Sequence, residues 1–179
     1  LPGWRAGAFE VQDEGSQCIA TACAATAGEI ALDLCAGNGG KTLALAAAVG
    51  AAGRVYAHDV DAARLRSLRA RAERAHVAAR ITVLPTPPAV ATAPPVDIAL
   101  VDAPCSSTGV IRRHPGLRWA VDRGSLSAED LPTLQLRLLR RAAAAVRADG
   151  GRLVYATCSL DARENEEIAH AFERSADGR

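Results

Sequence analysis

The sequence predicts an α/β domain in which a mostly parallel sheet carries helices on both faces. Short apolar runs alternate along the chain with longer stretches of helical periodicity, a pattern typical of strands joined by crossover helices. Several of the apolar runs end in an aspartate or a cysteine. With 179 residues, of which 49% are apolar, the chain is long enough to form one domain around a buried core.

Five apolar runs have the length and composition of buried strands. They cover residues 29–35, 54–59, 81–84, 96–102 and 152–157. Prolines are frequent between residues 85 and 95, which predicts a loop between the third and fourth strands. Because the carboxyl ends of parallel strands lie at one edge of a sheet, we expect the residues after these strands to share a crevice.

The intervening stretches predict helices, after an irregular start over residues 1–14. The predicted helices cover residues 16–25, 42–49, a segment capped by Asp61, 131–148 and 164–172. In the first helix, Cys18 and Cys23 are expected to pack as small core residues. In the helix after Asp61, leucines face inward, and the five arginines between Arg64 and Arg74 are expected to form a solvated face.

The helix predicted over residues 131–148 is the longest. Pro132 suits its first turn, and the glycines after Asp149 suit its end. Helical spacing predicts that its buried face consists of Leu131, Leu134, Leu138, Ala142 and Ala145.

Composition excludes several classes of protein. The sequence has no apolar run of eighteen residues and no charged segment before a short apolar stretch, so it predicts neither a membrane span nor a signal peptide. Five cysteines in this spacing fit neither a zinc ribbon nor a disulfide framework, which favours a reducing cytoplasm and no metal. A net charge of +1 means that any nucleic-acid binding must depend on local patches. The chain begins at Leu1 and has no methionine, so we expect a piece of a longer protein.

The glycine-rich turn CAGNGGKT, residues 35–42, is compatible with three kinds of ligand. A phosphate-binding P-loop needs a glycine where Cys35 stands, and a dinucleotide motif needs one at Thr42. The third candidate is S-adenosylmethionine, which requires a close backbone approach and an acid after the next strand. Asp59 stands at that position, and Lys41 is the only lysine in the sequence.

Two thiols and a basic segment follow the last two predicted strands. Asp102 and Cys105 come after residues 96–102, and Cys158 comes after residues 152–157. From spacing alone, Cys105 is the obvious nucleophile. Methylation of carbon five of cytosine would need a thiolate that adds to carbon six, a group on the pyrimidine edge and a second group that assists release. The segment with Arg112, Arg113, His114 and Arg118 is expected to bind phosphates, and Trp119 is either core or a base platform.

Three segments resemble the signature motifs of RNA cytosine-5 methyltransferases, namely DLCAGNGGKT, VDAPCSSTGVIRRHPGLRW and YATCSLDARENEE. The greatest similarity is to the bacterial RsmB (Sun/Fmu) group, which modifies small-subunit ribosomal RNA. The resemblance covers nearly the whole chain. It implies a Rossmann-like S-adenosylmethionine-dependent methyltransferase fold and a single catalytic domain over residues 1–179. An N-terminal RNA-binding domain and the last strands of the sheet would then lie outside this sequence.

The resemblance also implies a role for each motif residue. Cys158 would be the nucleophile, Cys105 would assist release, and Asp102 would contact the target base and the reactive end of the cofactor. The residues implied to hold S-adenosylmethionine are Cys35, Ala36, Gly37, Asn38, Gly39, Gly40, Lys41, Asp59, Arg64 and Asp102. Lys41 is expected to face Asp102. Glu164, Asn165 and Glu166 match a motif that supports the Cys158 loop, and the same residues also suit the first turn of a helix. The basic segment would then grip RNA, in a protein expected to be monomeric.

The sequence departs from the family pattern at two places. Asn38 stands where the family has proline, which should alter the turn only mildly. The acid that contacts adenine after the third strand is absent, because Leu84, Pro85 and Thr86 occupy that place. Two other functions remain open from the residues alone: a P-loop-like nucleotide hydrolase, and a non-catalytic RNA-binding module that keeps the same fold.

Overall fold

The computed structural model describes residues 1–84, 94–122 and 130–175, and in this part of the chain five parallel strands form one sheet. The strands are β1 (Ile30–Asp33), β2 (Arg54–Ala57), β3 (Ile81–Val83), β4 (Ile98–Asp102) and β5 (Arg152–Ala156). Their order across the sheet is β3-β2-β1-β4-β5. The order reverses between β1 and β4, so the ligand crevice of this fold is expected beyond the carboxyl ends of these two strands.

The strand register brings the chemically important residues to one edge of the sheet. Asp33 of β1 is paired with Ala57 of β2 and with Leu100 of β4. Asp102 of β4 is paired with Ala156 of β5, so the residues that follow both strands leave the sheet at the same level. The predicted five strands and their parallel arrangement are confirmed.

Helices cover both faces of the sheet, as the sequence predicts. The described helices are α1 (Pro2–Arg5), α2 (Glu14–Ala22), α3 (Gly40–Ala48), α4 (Ala62–Arg74), α5 (Leu117–Asp122), α6 (Leu131–Ala143) and α7 (Glu166–Glu173). Side chains of α6 and α7 pack against Leu32 and Val101, whereas those of α3 and α4 pack against Ala31 and Leu100 on the opposite face. This alternation along β1 and β4 explains why both strands are apolar throughout.

Helix α6 differs from its prediction in length and in its buried face. It ends at Ala143 because the following residues turn to pair with Val96, whose N–H donates to the Ala145 carbonyl at 2.8 Å. Its fully buried side chains are Gln135, Leu139 and Ala142, while Leu131, Leu134 and Leu138 are only half-buried. The predicted face was right for Ala142 and Ala145 but wrong in the first half of the helix, because periodicity alone treats Gln135 as a surface residue.

Three smaller expectations also need correction. Residues 2–5 form a short helix in the segment expected to be irregular. Cys18 is exposed, and only Cys23 belongs to the core. Arg71 and Arg74 of α4 are not solvated, because both pair with Glu10, and Arg74 also stacks on the ring of Trp4 with 4.0 Å to the centroid.

Other predictions are confirmed, and some fall outside the described residues. The Asp61 side chain caps α4 by accepting hydrogen bonds from the N–H groups of Ala63 and Arg64. Pro85 and Thr86, where an adenine-contacting acid is missing, and most of the proline-rich loop lie outside the described part. Among the described helices, none has the length and apolar character needed to cross a membrane.

Candidate active site

A cleft of about 1070 Å³ opens at the carboxyl edge of the sheet. The glycine-rich turn and Asp59 line one part of it, and Asp102 with the two thiols lines another. Residues 11–13 and Ser16, at the start of α2, form a further wall. The structure therefore gathers nearly every residue predicted from the motifs into a single cavity.

The glycine-rich turn needs glycine at two positions for different reasons. Gly37 and Gly39 both have left-handed backbone conformations, with φ of 53° and 86°. A Cβ on Gly37 would meet no atom within 4 Å, whereas a Cβ on Gly39 would lie 2.6 Å from Cγ of Leu68. The turn thus packs directly on α4, and it presents backbone rather than side chains at Gly37.

We expect Gly39→Ala to lower the free energy of unfolding by about 3 kcal/mol, from the left-handed strain and the overlap with Leu68 together. The matched control is Gly37→Ala, which has the strain without the overlap and should cost about 1 kcal/mol. Urea denaturation measures both values. Equal losses in the two variants would contradict the packing of this turn on α4.

Asp59 connects the glycine-rich turn to helix α4. Its carboxylate is buried and accepts hydrogen bonds from the N–H of Gly37 and from the N–H of Asp61, each at 2.8 Å. Arg64 also lines the cleft, more than half exposed, and pairs with Asp61 at 3.5 Å. A carboxylate held in this position could accept hydrogen bonds from the hydroxyls of a ribose.

Lys41 and Asp102 form an ion pair in the cleft, as expected from the sequence. The Nζ–Oδ2 distance is 2.5 Å, and the lysine side chain is only 12% exposed. Nζ also donates to the Ser16 hydroxyl at 3.4 Å. The pair orients the Asp102 carboxylate and leaves it about one-third exposed to the cleft, where it could meet a substrate.

Two buried polar residues in the cleft wall were not predicted from the sequence. Asp33 accepts a hydrogen bond from the Thr42 hydroxyl through Oδ2 at 2.7 Å, but within the described structure its Oδ1 has no partner. Burial raises the pKa of Asp33 to about 6. His58 is buried beside Asp59, and its Nε2 also has no partner among the described residues. The aspartate at the end of an apolar strand was the available signal for Asp33.

The two thiols predicted from the motifs lie side by side. The sulfur atoms of Cys105 and Cys158 are 3.4 Å apart, and the Ser107 hydroxyl is 3.5 Å from the Cys158 sulfur. Hydrogen bonding from Cys105 lowers the pKa of Cys158 to about 6, although partial burial opposes this shift. The same hydrogen bond, together with burial, raises the pKa of Cys105 far above its usual value. The contact between the two sulfur atoms therefore favours a thiolate on Cys158 that accepts a hydrogen bond from Cys105.

The basic segment after Cys105 reaches the cleft at Arg113. Arg112, His114 and Arg118 are exposed but are not among the residues that line the cleft, and Trp119 is 65% exposed rather than part of the core. Arg113 lines the cleft and forms an ion pair with Asp13. Among the described residues, no group of three or more His, Cys, Asp or Glu side chains is placed to hold a metal ion.

Comparison of the chain with known proteins finds a family model and curated relatives that it resembles. The family model described as 16S rRNA methyltransferase RsmB/F matches residues 20–178. The chain is 38% identical to the ribosomal RNA small subunit methyltransferase B of Vibrio cholerae, over 100% of this chain and 41% of that protein. It is 36% identical to the Pseudomonas putida protein of the same name, over 96% of this chain and 39% of that protein. The chain thus spans about two fifths of the length of these relatives.

Solved structures give the same result for the fold. The crystal structure of PH0851 has a TM-score of 0.83 at 33% identity and covers 96% of this chain and 39% of that chain. The structure of NSun6 from Pyrococcus horikoshii with SFG has a TM-score of 0.79 at 26% identity and covers 97% of this chain and 44% of that chain.

Proposed function

Because the chain belongs to the 16S rRNA methyltransferase RsmB/F family, we propose that it is the catalytic part of an RNA (cytosine-5-)-methyltransferase that uses S-adenosylmethionine. Its substrate is a cytosine in RNA of the small ribosomal subunit, and the protein acts in the cytoplasm. The observation that carries the proposal is the pair of thiols 3.4 Å apart, beside Asp102 and in one cleft with the glycine-rich turn.

The cleft fits the cofactor at three points. Backbone at Gly37 and the turn up to Lys41 can approach the methionine part closely, and Asp59 can accept hydrogen bonds from the ribose hydroxyls. The unpartnered Oδ1 of Asp33 could accept a hydrogen bond from the ammonium group of S-adenosylmethionine. The neighbouring structure contains SFG, which is an analogue of S-adenosylmethionine. When bound, the cofactor supplies an electrophilic methyl group.

The thiol pair suits the chemistry of carbon five. The Cys158 thiolate adds to carbon six of the cytosine, which turns carbon five into a nucleophile that can take up the methyl group. A base then removes the proton on carbon five, and the bond between sulfur and carbon six breaks to return the thiolate. The Cys105 thiol lies 3.4 Å from the Cys158 sulfur, so it can donate a hydrogen bond to this thiolate and reprotonate it after it leaves. Asp102 can hydrogen-bond the pyrimidine edge while Lys41 holds it in place.

RNA must reach this cleft with the target base turned out of any stack. The exposed Arg112, His114 and Arg118 offer phosphate contacts outside the cleft, and Trp119 offers a stacking surface. Arg113 would have to exchange Asp13 for a phosphate, so we expect it to contribute only when RNA is bound.

The decisive test has two parts. Mass-spectrometric mapping of 5-methylcytosine in ribosomal RNA, with and without the intact gene, should reveal one site that is lost with the gene. Calorimetry should show binding of S-adenosylmethionine that weakens in an Asp59→Ala variant. Tight magnesium-dependent ATP binding would overturn the proposal in favour of a P-loop-like hydrolase. Cofactor binding with no methylation of any RNA would favour a non-catalytic RNA-binding module.

The rate of thiol attack should depend on pH with a midpoint near 6, the pKa of Cys158. The thiolate is the deprotonated form, so reactivity should rise with pH up to that midpoint and level off above it. Below pH 6 it should fall about tenfold per pH unit. In Cys105→Ala the lost hydrogen bond should move the midpoint to higher pH.

Alkylation of Cys158 by iodoacetamide, followed by mass spectrometry, measures this profile without RNA or cofactor. The exposed Cys18 in the same digest is an internal control for an ordinary thiol. A wild-type midpoint near 8.5, the value of a free cysteine, would contradict the assignment.

A further inference from the structure

We propose that Gln135 and Glu164 are positioning residues that hold the Cys105 and Cys158 loops at a separation suited to both attack and release. The inference rests on the proposed function. It adds Gln135, which no motif predicts, and it extends the role expected of Glu164 from the Cys158 loop to the Cys105 loop; neither residue touches the substrate. It also gives a reason for a polar side chain in the middle of helix α6, where an apolar residue would otherwise be expected.

Gln135 connects helix α6 to the Cys105 loop. Its side chain is fully buried, and Nε2 donates hydrogen bonds to the Pro104 carbonyl at 3.0 Å and to Oε2 of Glu164 at 2.9 Å. Pro104 directly precedes Cys105. One N–H of the amide therefore holds the chain directly before Cys105, and the other holds the Glu164 carboxylate.

Glu164 connects the two thiol loops to each other. It is 4% exposed and accepts hydrogen bonds from the Ser106 N–H at 2.9 Å and from the Ser159 hydroxyl at 2.8 Å. These residues directly follow Cys105 and Cys158. Burial acts to raise the pKa of Glu164, but the hydrogen bonds from Ser106, Ser159 and Gln135 lower it overall, so the carboxylate is charged and its acceptors are in use.

The Cys158 loop has additional support from Asn165, which the Cys105 position lacks. Asn165 Nδ2 donates a hydrogen bond to the Ser159 carbonyl at 3.1 Å, and the Thr157 hydroxyl donates to Asn165 Oδ1 at 2.6 Å. Neither bond involves Gln135. Loss of the Gln135 amide should therefore displace Cys105 more than it displaces Cys158.

This asymmetry predicts a specific kinetic defect. In the proposed mechanism Cys158 forms the bond to the base, and Cys105 serves only when that bond breaks. If Gln135 positions Cys105, its loss should slow release. At pH 8.5, where Cys158 depends less on the Cys105 hydrogen bond for its ionisation, attack should be nearly unchanged. A residue that only stabilises the fold would affect both steps alike.

The test compares Gln135→Met, which keeps the side chain's size without its hydrogen bonds, with Leu139→Ala as a matched control. Leu139 is buried on the same helix and makes core contacts, so its truncation should cost about 3 kcal/mol of stability without loosening either thiol. Glu164→Gln is the second variant, because its amide is uncharged and has one oxygen in place of two, so it cannot accept all the hydrogen bonds that the carboxylate accepts.

The first measurement is the rate at which diamide forms the disulfide between Cys105 and Cys158, in a Cys18→Ser background. Diamide takes two electrons and two protons from the two thiols and becomes a hydrazine. At pH 8.5, where the ionisation of Cys158 depends less on Cys105, the rate reports mainly on the proximity of the two thiols. We expect it to fall about tenfold in Gln135→Met and in Glu164→Gln, because a displacement near 1 Å has effects of this order or larger. Leu139→Ala should remain within about twofold of the unchanged protein.

The second measurement follows the covalent protein–RNA adduct in the full-length protein during a single turnover. At pH 8.5 we expect Gln135→Met to form the adduct at nearly the normal rate and to release it at least about tenfold more slowly. Unchanged disulfide and release rates, or equal slowing of formation and release as in a merely destabilised protein, would overturn the proposal. A slowed disulfide with no methylation of any RNA would support the positioning and overturn the proposed function.

Discussion

Cys158→Ser should abolish methylation, with a loss of about 10⁴-fold or more. The chemistry needs a group that is ionised at neutral pH and adds to carbon six. Cys158 meets this requirement because the Cys105 S–H holds its pKa near 6. A serine hydroxyl at the same place is almost entirely protonated at any physiological pH and is a far weaker nucleophile. Initial rates of methyl transfer to ribosomal RNA measure the effect.

The control for this variant is Cys18→Ser, which alters an exposed thiol outside the cleft and should keep full activity. Cofactor affinity should remain unchanged in Cys158→Ser, because Cys158 is not among the residues proposed to hold the cofactor. Methylation that persists in Cys158→Ser and is lost in Cys105→Ser would assign the attack to the other thiol.

Cys105→Ala should trap a covalent protein–RNA adduct that survives a denaturing gel. Attack by Cys158 would still occur, but the S–H group that faces the departing sulfur would be missing. Because the same substitution removes the hydrogen bond that lowers the pKa of Cys158, attack should also be slower near neutral pH. The experiment is therefore best carried out at pH 8.5, where the thiolate is restored.

The double variant Cys105→Ala/Cys158→Ser is the control for this result, since it should form no adduct at any pH. Adduct that accumulates in Cys158→Ser instead would show that the two thiols have exchanged roles. Absence of any adduct in Cys105→Ala at pH 8.5, with cofactor and RNA bound, would contradict a covalent mechanism.

The strands and the thiol motifs could be predicted because their signals are local. In VDIALVD the run IALV is apolar because both faces of β4 are covered, and no distant residue is needed to recognise it. The Asp61 cap followed from the same kind of evidence, namely a residue type at a defined distance from a helix start, whereas the pairing of Lys41 with Asp102 was expected from the family resemblance. The predicted roles of the site residues still await the experiments above.

The errors arose at side chains whose hydrogen bonds and ion pairs join them to residues far away in the sequence. Arg71 has the appearance of a surface arginine in a basic helix, yet it donates to the Asn38 carbonyl at 2.8 Å and pairs with Glu10. Gln135 has the spacing of a surface residue but is buried, because its amide donates hydrogen bonds to the Pro104 carbonyl and to the Glu164 carboxylate, which are far away in the sequence. Periodicity contains no information about such contacts.

The sequence by itself determined the order of strands and helices, the edge where the functional residues gather, and the family to which the motifs belong. Only the tertiary structure decided the distance of 3.4 Å between the sulfur atoms of Cys105 and Cys158, which belong to different strand ends, and this contact shifts the pKa values of the two thiols in opposite directions. It likewise decided that Gln135 belongs with the thiols, and that Glu164, expected at the Cys158 loop, also holds the Cys105 loop. Local composition selects the elements of a fold, but hydrogen bonds and burial act through space, and these set the chemistry of the site.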